Sequence, residues 1–99
     1  MRITAYQRQV ILESSKEIFG DEVEVRLFGS RADDSKKGGD IDLFVDLPSV
    51  DPMKTAKSLK FSSMICRKLG DLIDVDVVIK DRSSPASLIY QEGMNGVRL

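Results

Sequence analysis

Residues 28–46 read FGSRADDSKKGGDIDLFVD. The last part alternates: Ile41, Leu43 and Val45, continued by Leu47, fall on one side of an extended chain, and Asp40, Asp42, Phe44 and Asp46 on the other. A strand with one aliphatic face buries that face and leaves its acids on the opposite one. Asp40 and Asp42 are two residues apart, so they point the same way with Cα atoms about 6.6–6.8 Å apart. At roughly 5 Å between charges and an effective dielectric of 20, two carboxylates repel by about 3 kcal/mol. A divalent cation offsets that repulsion directly, and a third carboxylate from a neighbouring strand would complete a set of oxygens suited to Mg2+.

Two other stretches repeat the alternation. In EVEVRLF, residues 22–28, Val23, Val25 and Leu27 share a face opposite Glu24, Arg26 and Phe28. In IDVDVVI, residues 73–79, Ile73, Val75, Val77 and Ile79 oppose Asp74, Asp76 and Val78. Asp76, in the middle of its strand, is the natural third carboxylate; Asp74 has the same parity nearer the strand's start and is the alternative.

Between the strands the signals are helical. Thr4 and Gln7 have the spacing of a capping box, Val10, Ile11, Ile18 and Phe19 recur at helical intervals, and Gly20 is a stop, which predicts a helix over about residues 5–19. Asp51-Pro52 gives an N-cap and a proline at the first helical position. An amphipathic run through Ala56, Leu59, Phe61, Met64, Ile65 and Leu69 to Gly70 then predicts a second helix over about residues 52–69, with Met53, Met64 and Cys66 read as core. A short third helix is expected from Ser84-Pro85 to about Glu92, stopped by Gly93, with GVRL as a last edge strand. The expected fold is α/β (α+β): a two-layer sandwich in one domain spanning residues 1–99, a small mixed sheet with helices on one face and an open acidic face. Phe28, Phe44 and Val78 would stand exposed on that face beside the acids.

Gly29-Ser30 ends the first strand on the acidic side. A Gly-Ser turn leaves backbone N–H groups unshielded and offers a hydroxyl, and Arg31 adds a planar donor fork, which together suit a polyphosphate. Metal-chelating acids facing a phosphate cradle fit nucleotidyl transfer, in which two Mg2+ ions serve the attacking and departing oxygens.

Composition narrows the field. The 99 residues include no histidine, so neither a histidine base nor a histidine metal ligand is available, and catalysis must rest on carboxylates, Lys, Tyr or a metal. A formal net charge of −1 argues against direct binding of a phosphate backbone. There is no apolar run of membrane-spanning length and no secretory pattern at the N-terminus, so the cytoplasm is the expected location.

A lone Asp-Ile-Asp is common in solvated strands and a lone Gly-Ser in turns; here both occur in order at a fixed spacing. The stretch Phe28-Gly29-Ser30, a spacer of nine residues, then Asp40-Ile41-Asp42-Leu43 resembles the signature of the nucleotidyltransferase superfamily that includes DNA polymerase beta. GSRA, VDVVI around Asp76 and the Glu92-Gly93 before a last strand are similar to the minimal nucleotidyltransferases of prokaryotes, a likeness covering about residues 6–99. It implies the nucleotidyltransferase fold. It also implies that Gly29 and Ser30 bind the β- and γ-phosphates with help from Arg31, that Asp40 and Asp42 chelate two Mg2+ ions, and that Asp76 binds the first and helps deprotonate the acceptor.

In that branch the partner is commonly a small helical toxin of the HEPN type, and the minimal nucleotidyltransferase acts as antitoxin by moving AMP from ATP, or an NMP from another NTP, onto a tyrosine of the toxin. Two alternatives stay open at this point: a non-catalytic antitoxin that neutralises by binding alone, and an enzyme acting on a small molecule. A homo-oligomer also stays open.

Overall fold

The computed structural model describes residues 3–32, 39–70 and 73–99. Lys36 and Lys37, in the expected polar loop, lie outside them. The first helix, α1, is Ala5–Phe19 and begins as the capping box requires: the Gln7 N–H donates to Thr4 Oγ1 at 3.0 Å, and the Thr4 N–H to Gln7 Oε1 at 2.9 Å. Strand β1, Glu24–Phe28, runs into a short 310 turn at Gly29–Ala32; β2 is Ile41–Asp46, α2 Lys54–Leu69, β3 Val75–Lys80, α3 Leu88–Met94 and β4 Val97–Arg98.

Among the described residues four strands form one mixed sheet in the order β3-β2-β1-β4. β1 and β2 pair antiparallel, with Phe28 opposite Asp42. β2 and β3 are joined through α2, a connection long enough to return the chain to the same end, and pair parallel, with Asp42 opposite Asp76. β4 closes the other edge antiparallel to β1.

The aliphatic faces meet as expected. Val25, Leu27, Ile41, Leu43 and Val45 are buried beneath Ile11 of α1 and Phe61 and Ile65 of α2. Phe19 sets its ring edge against Phe61, with centroids 5.4 Å apart. Each fully buried side chain of this size contributes about 1.5–3 kcal/mol, so this layer carries most of the stabilisation.

Several local expectations are corrected. Phe44 is completely buried and Phe28 nearly so, while Val78 is half-buried. The cause is α3, which lies on the acid-bearing face: Gly93 abuts the Phe44 ring so closely that a Cβ there would overlap it, and Tyr90 meets that ring edge-on at 6.3 Å. Gly93 is therefore a packing glycine inside α3, which runs on to Met94; the helix starts not at Ser84-Pro85 but after the N-cap Ser87, whose Oγ accepts from the Tyr90 N–H. α2 begins at Lys54, because Asp51 accepts from the Met53 N–H at 2.8 Å in a turn ahead of the helix and receives Lys57 Nζ at 2.6 Å. Met53 and Leu59 are exposed, and Cys66 is half-buried, its Sγ 3.6 Å from the Ile73 carbonyl.

Candidate functional site

α3 covers the middle of its face and leaves the starts of β2 and β3 open, where the acids stand. Asp42 and Asp76 are each the second residue of their strand and are register partners, on strands that in any sheet run about 4.8 Å apart. Asp42 is half-buried, Asp76 exposed, and the two carboxyl groups are within hydrogen-bonding reach of each other. Burial pushes the Asp42 carboxyl above its ordinary value, and the charges of Asp76 and then Asp40, with the hydrogen bond to Asp76, push the same way. Each of these causes disfavours a bare carboxylate.

Gly29 explains how Asp42 fits. It adopts φ +73, in the left-handed region that favours glycine, and the space its Cβ would take is filled by the Asp42 carboxylate. The turn backbone thus lies directly against the acid. Ser30 continues the 310 turn; its side chain lies outside the described part of the structure. Arg31 is half-buried and donates from Nη2 to the Gly39 carbonyl at 2.9 Å, fastening the turn to the residue just ahead of Asp40.

Asp40 is exposed and precedes β2 by one residue. Asp74 precedes β3 in the same way; its carbonyl accepts from the Ile41 N–H at 2.9 Å, and its carboxylate is not among the groups acting on Asp42. The structure therefore brings Asp42 and Asp76 together, with Asp40 within Coulombic reach, while Asp74 lines the same cleft as Asp40 and Asp76. Among the described residues, no three His, Cys, Asp or Glu side chains are gathered closely enough to hold a metal ion as they stand. The donor set is nonetheless of the right kind: hard carboxylate oxygens in mutual repulsion, with a third acid at the mouth, suit a divalent cation that keeps several waters.

Two features escaped the sequence. The first is a cleft of about 580 Å3 beside the acids, walled on one side by Asp40, Asp74, Val75 and Asp76 and on the other by Ser62, Ser63, Cys66 and Arg67 of α2. The signal was present: Ser62/Cys66 and Ser63/Arg67 each have the four-residue spacing that places small polar groups on one helix flank. The second is Asp81, fully buried just after β3. It accepts from the Asp51 N–H at 3.0 Å, the Ser83 N–H at 2.8 Å and Lys54 Nζ at 3.2 Å. The Ser83 hydroxyl is its strongest partner, and together these donors hold the carboxyl well below the usual carboxylate range. Asp81 ties the end of β3 to the start of α2.

Among the described residues no helix is long and apolar enough to cross a membrane. Comparison with curated proteins and with solved structures gives no significant match. The profile of one family, described as nucleotidyltransferase domain, matches residues 8–92, from within α1 to within α3, including Gly29 and all three candidate acids. Its members generally use a nucleoside triphosphate and a divalent metal. With that span matched, and a glycine turn set against paired acids, the chain belongs to the nucleotidyltransferase domain family.

Proposed function

We propose that this protein is a Mg2+-dependent nucleotidyltransferase that moves AMP from ATP onto a tyrosine hydroxyl of a small helical partner of the HEPN type, and that it acts in the cytoplasm as the partner's antitoxin. The observation that carries this reading is the in-register pair Asp42 and Asp76, with Asp42 packed against the left-handed Gly29 turn.

Asp40, Asp42 and Asp76 are the residues that would hold the ion. Bound there, Mg2+ would offset the repulsion among the acids and the charge of the triphosphate. Gly29 lets the turn backbone approach the phosphates without a side chain in the way, with Ser30 next to it and Arg31 as a planar donor beside the turn. Asp76, which is exposed and lines the cleft, would take the proton from the acceptor hydroxyl. The acceptor oxygen forms a bond to the α-phosphorus, the bond from that phosphorus to its bridging oxygen breaks, and pyrophosphate leaves.

Intact-mass spectrometry of the partner, after incubation with this protein, Mg2+ and each nucleoside triphosphate, tests the proposal. The expected result is an increment of one nucleoside monophosphate, largest with ATP and absent with an Asp40→Asn/Asp42→Asn variant. One observation favours a second reading: among the described residues no three acids are gathered into a group that could hold a metal. A protein that neutralises its partner by binding alone would leave the partner's mass unchanged, and the double variant would neutralise as well as the wild type.

A further inference from the structure

β3 is an edge strand: the sheet ends with it, and its only strand neighbour among the described residues is β2. The parallel ladder fixes which of its groups point outward. The Ile41 N–H donates to the Asp74 carbonyl and the Leu47 N–H to the Lys80 carbonyl, so the even-numbered residues face β2, and Val75, Val77 and Ile79 direct their N–H and C=O groups away from the sheet. No hydrogen bond reaches those outward groups from the described residues. Six residues rich in Val and Ile with one edge unpaired form a template for another strand.

The start of that edge, from Asp74 to Asp76, lines the cleft. Above it, the flank of α2 presents Ser62, Ser63 and Cys66, with Leu59 exposed one turn earlier, and these small side chains leave room for the side chains of a guest. Among the described residues, the other wall carries Asp40, Asp74 and Asp76 against the single cation Arg67. An acidic wall selects a basic guest and disfavours the end of a nucleic acid.

We propose that this groove binds the acceptor as an extended basic polypeptide segment that adds antiparallel to β3, with its hydroxyl-bearing side chain opposite Asp76; this rests on the nucleotidyl transfer proposed above. In an antiparallel guest the residue opposite Asp76 occupies a non-hydrogen-bonded pair, where Cα atoms approach to about 4.5 Å and side chains are closest. The residue two places further along the guest then faces Asp74, where a Lys or Arg pairs favourably. The residue between them faces Val75 and points beneath α2. The recognised pattern is a hydroxyl residue, an apolar residue, then a basic one.

The probe is a blocked heptapeptide with a Tyr-Val-Lys core and valine on the other side of the tyrosine. Its affinity is measured by fluorescence anisotropy without nucleotide, and amide exchange of β3 is followed by NMR. The expected result is binding that protects Val75, Val77 and Ile79. Affinity should fall at least about tenfold when the two valines flanking the tyrosine are N-methylated, since those amides face β3 and each loses a hydrogen bond. N-methylation of the tyrosine and lysine, whose amides face away, should leave affinity within about threefold. Failure to bind, equal affinity of both methylated peptides, or protection away from β3 overturns the proposal. So does protection of the same edge by a single-stranded oligonucleotide, or by a rising concentration of the protein alone. A peptide that docks as expected yet gains no nucleotide mass with Mg2+ and ATP upholds the docking mode and defeats the catalytic reading instead.

Discussion

Asp42 and Asp76 stand opposite each other on two parallel strands, each at the second position, with their carboxyl groups in hydrogen-bonding reach. Two acids this close weaken the fold that holds them unless something positive lies between. Without added metal, Asp42→Asn should therefore raise stability slightly, by under about 1 kcal/mol because the pair is open to water. Mg2+ at ten times its dissociation constant should stabilise the wild type by about 1.4 kcal/mol, several degrees in Tm, and leave Asp42→Asn unmoved. Thermal denaturation with and without Mg2+ checks both signs.

Gly29→Ala tests the contact between turn and acid. The substitution forces a Cβ into the left-handed region at φ +73 and onto the Asp42 carboxylate. It should cost about 1–3 kcal/mol and abolish the Mg2+-dependent shift. Gly20→Ala is the control: φ is +97, but nothing lies within 4 Å of its Cβ, so only the backbone penalty applies. Urea titration of both variants separates the two contributions.

Acid stability should rest on Asp81. Its carboxyl is held low by Ser83, the Asp51 N–H and Lys54, and Asp51 is held low by Lys57 and the Met53 N–H. A carboxylate lowered on folding stabilises above its unfolded value, about 3.9, and that stability is lost as pH falls through the folded value. Asp42, raised on folding, has the opposite sign: its contribution is present at low pH and is lost as pH rises through its folded value. Urea midpoints between pH 3 and pH 8 should fall steeply below about pH 4 for the wild type, and much less steeply for Asp81→Asn, which starts less stable at neutral pH.

α3 is held on its face by the fit of Gly93 against Phe44. Gly93→Ala should cost about 1–3 kcal/mol through overlap with the ring. Shrinking the ring in Phe44→Leu should recover part of that cost, so the double variant should be less destabilised than the sum of the singles. A charged residue at position 44 should unfold the protein, since the side chain there is completely buried.

The parts of this molecule governed by period two were legible in sequence. Alternation in residues 41–47 and 73–79 placed Asp42 and Asp76 on one face before any register was known. Register itself was not legible: sliding β3 by two residues would set Asp74 against Asp42 without changing a single face, and only the paired strands decide. Gly93 was misread because a glycine that ends a helix and one that lets a ring pack look alike in sequence. The distinguishing fact, Phe44, lies far away along the chain. The start of α2 was misread because Asp51 can cap a helix or form a turn, and its N–H is drawn off to Asp81. Asp81 was missed for the same reason: its partners come from the start of α2 and the serines that follow it.

The most direct test of the paired-acid site is isothermal titration of a non-hydrolysable ATP analogue into the metal-free protein, with and without Mg2+, repeated on Asp42→Asn. Binding that requires Mg2+ and is lost in Asp42→Asn is the expected result. Equal binding without Mg2+, or undiminished binding to Asp42→Asn, would contradict the assignment of Asp40, Asp42 and Asp76 as the cation and nucleotide site.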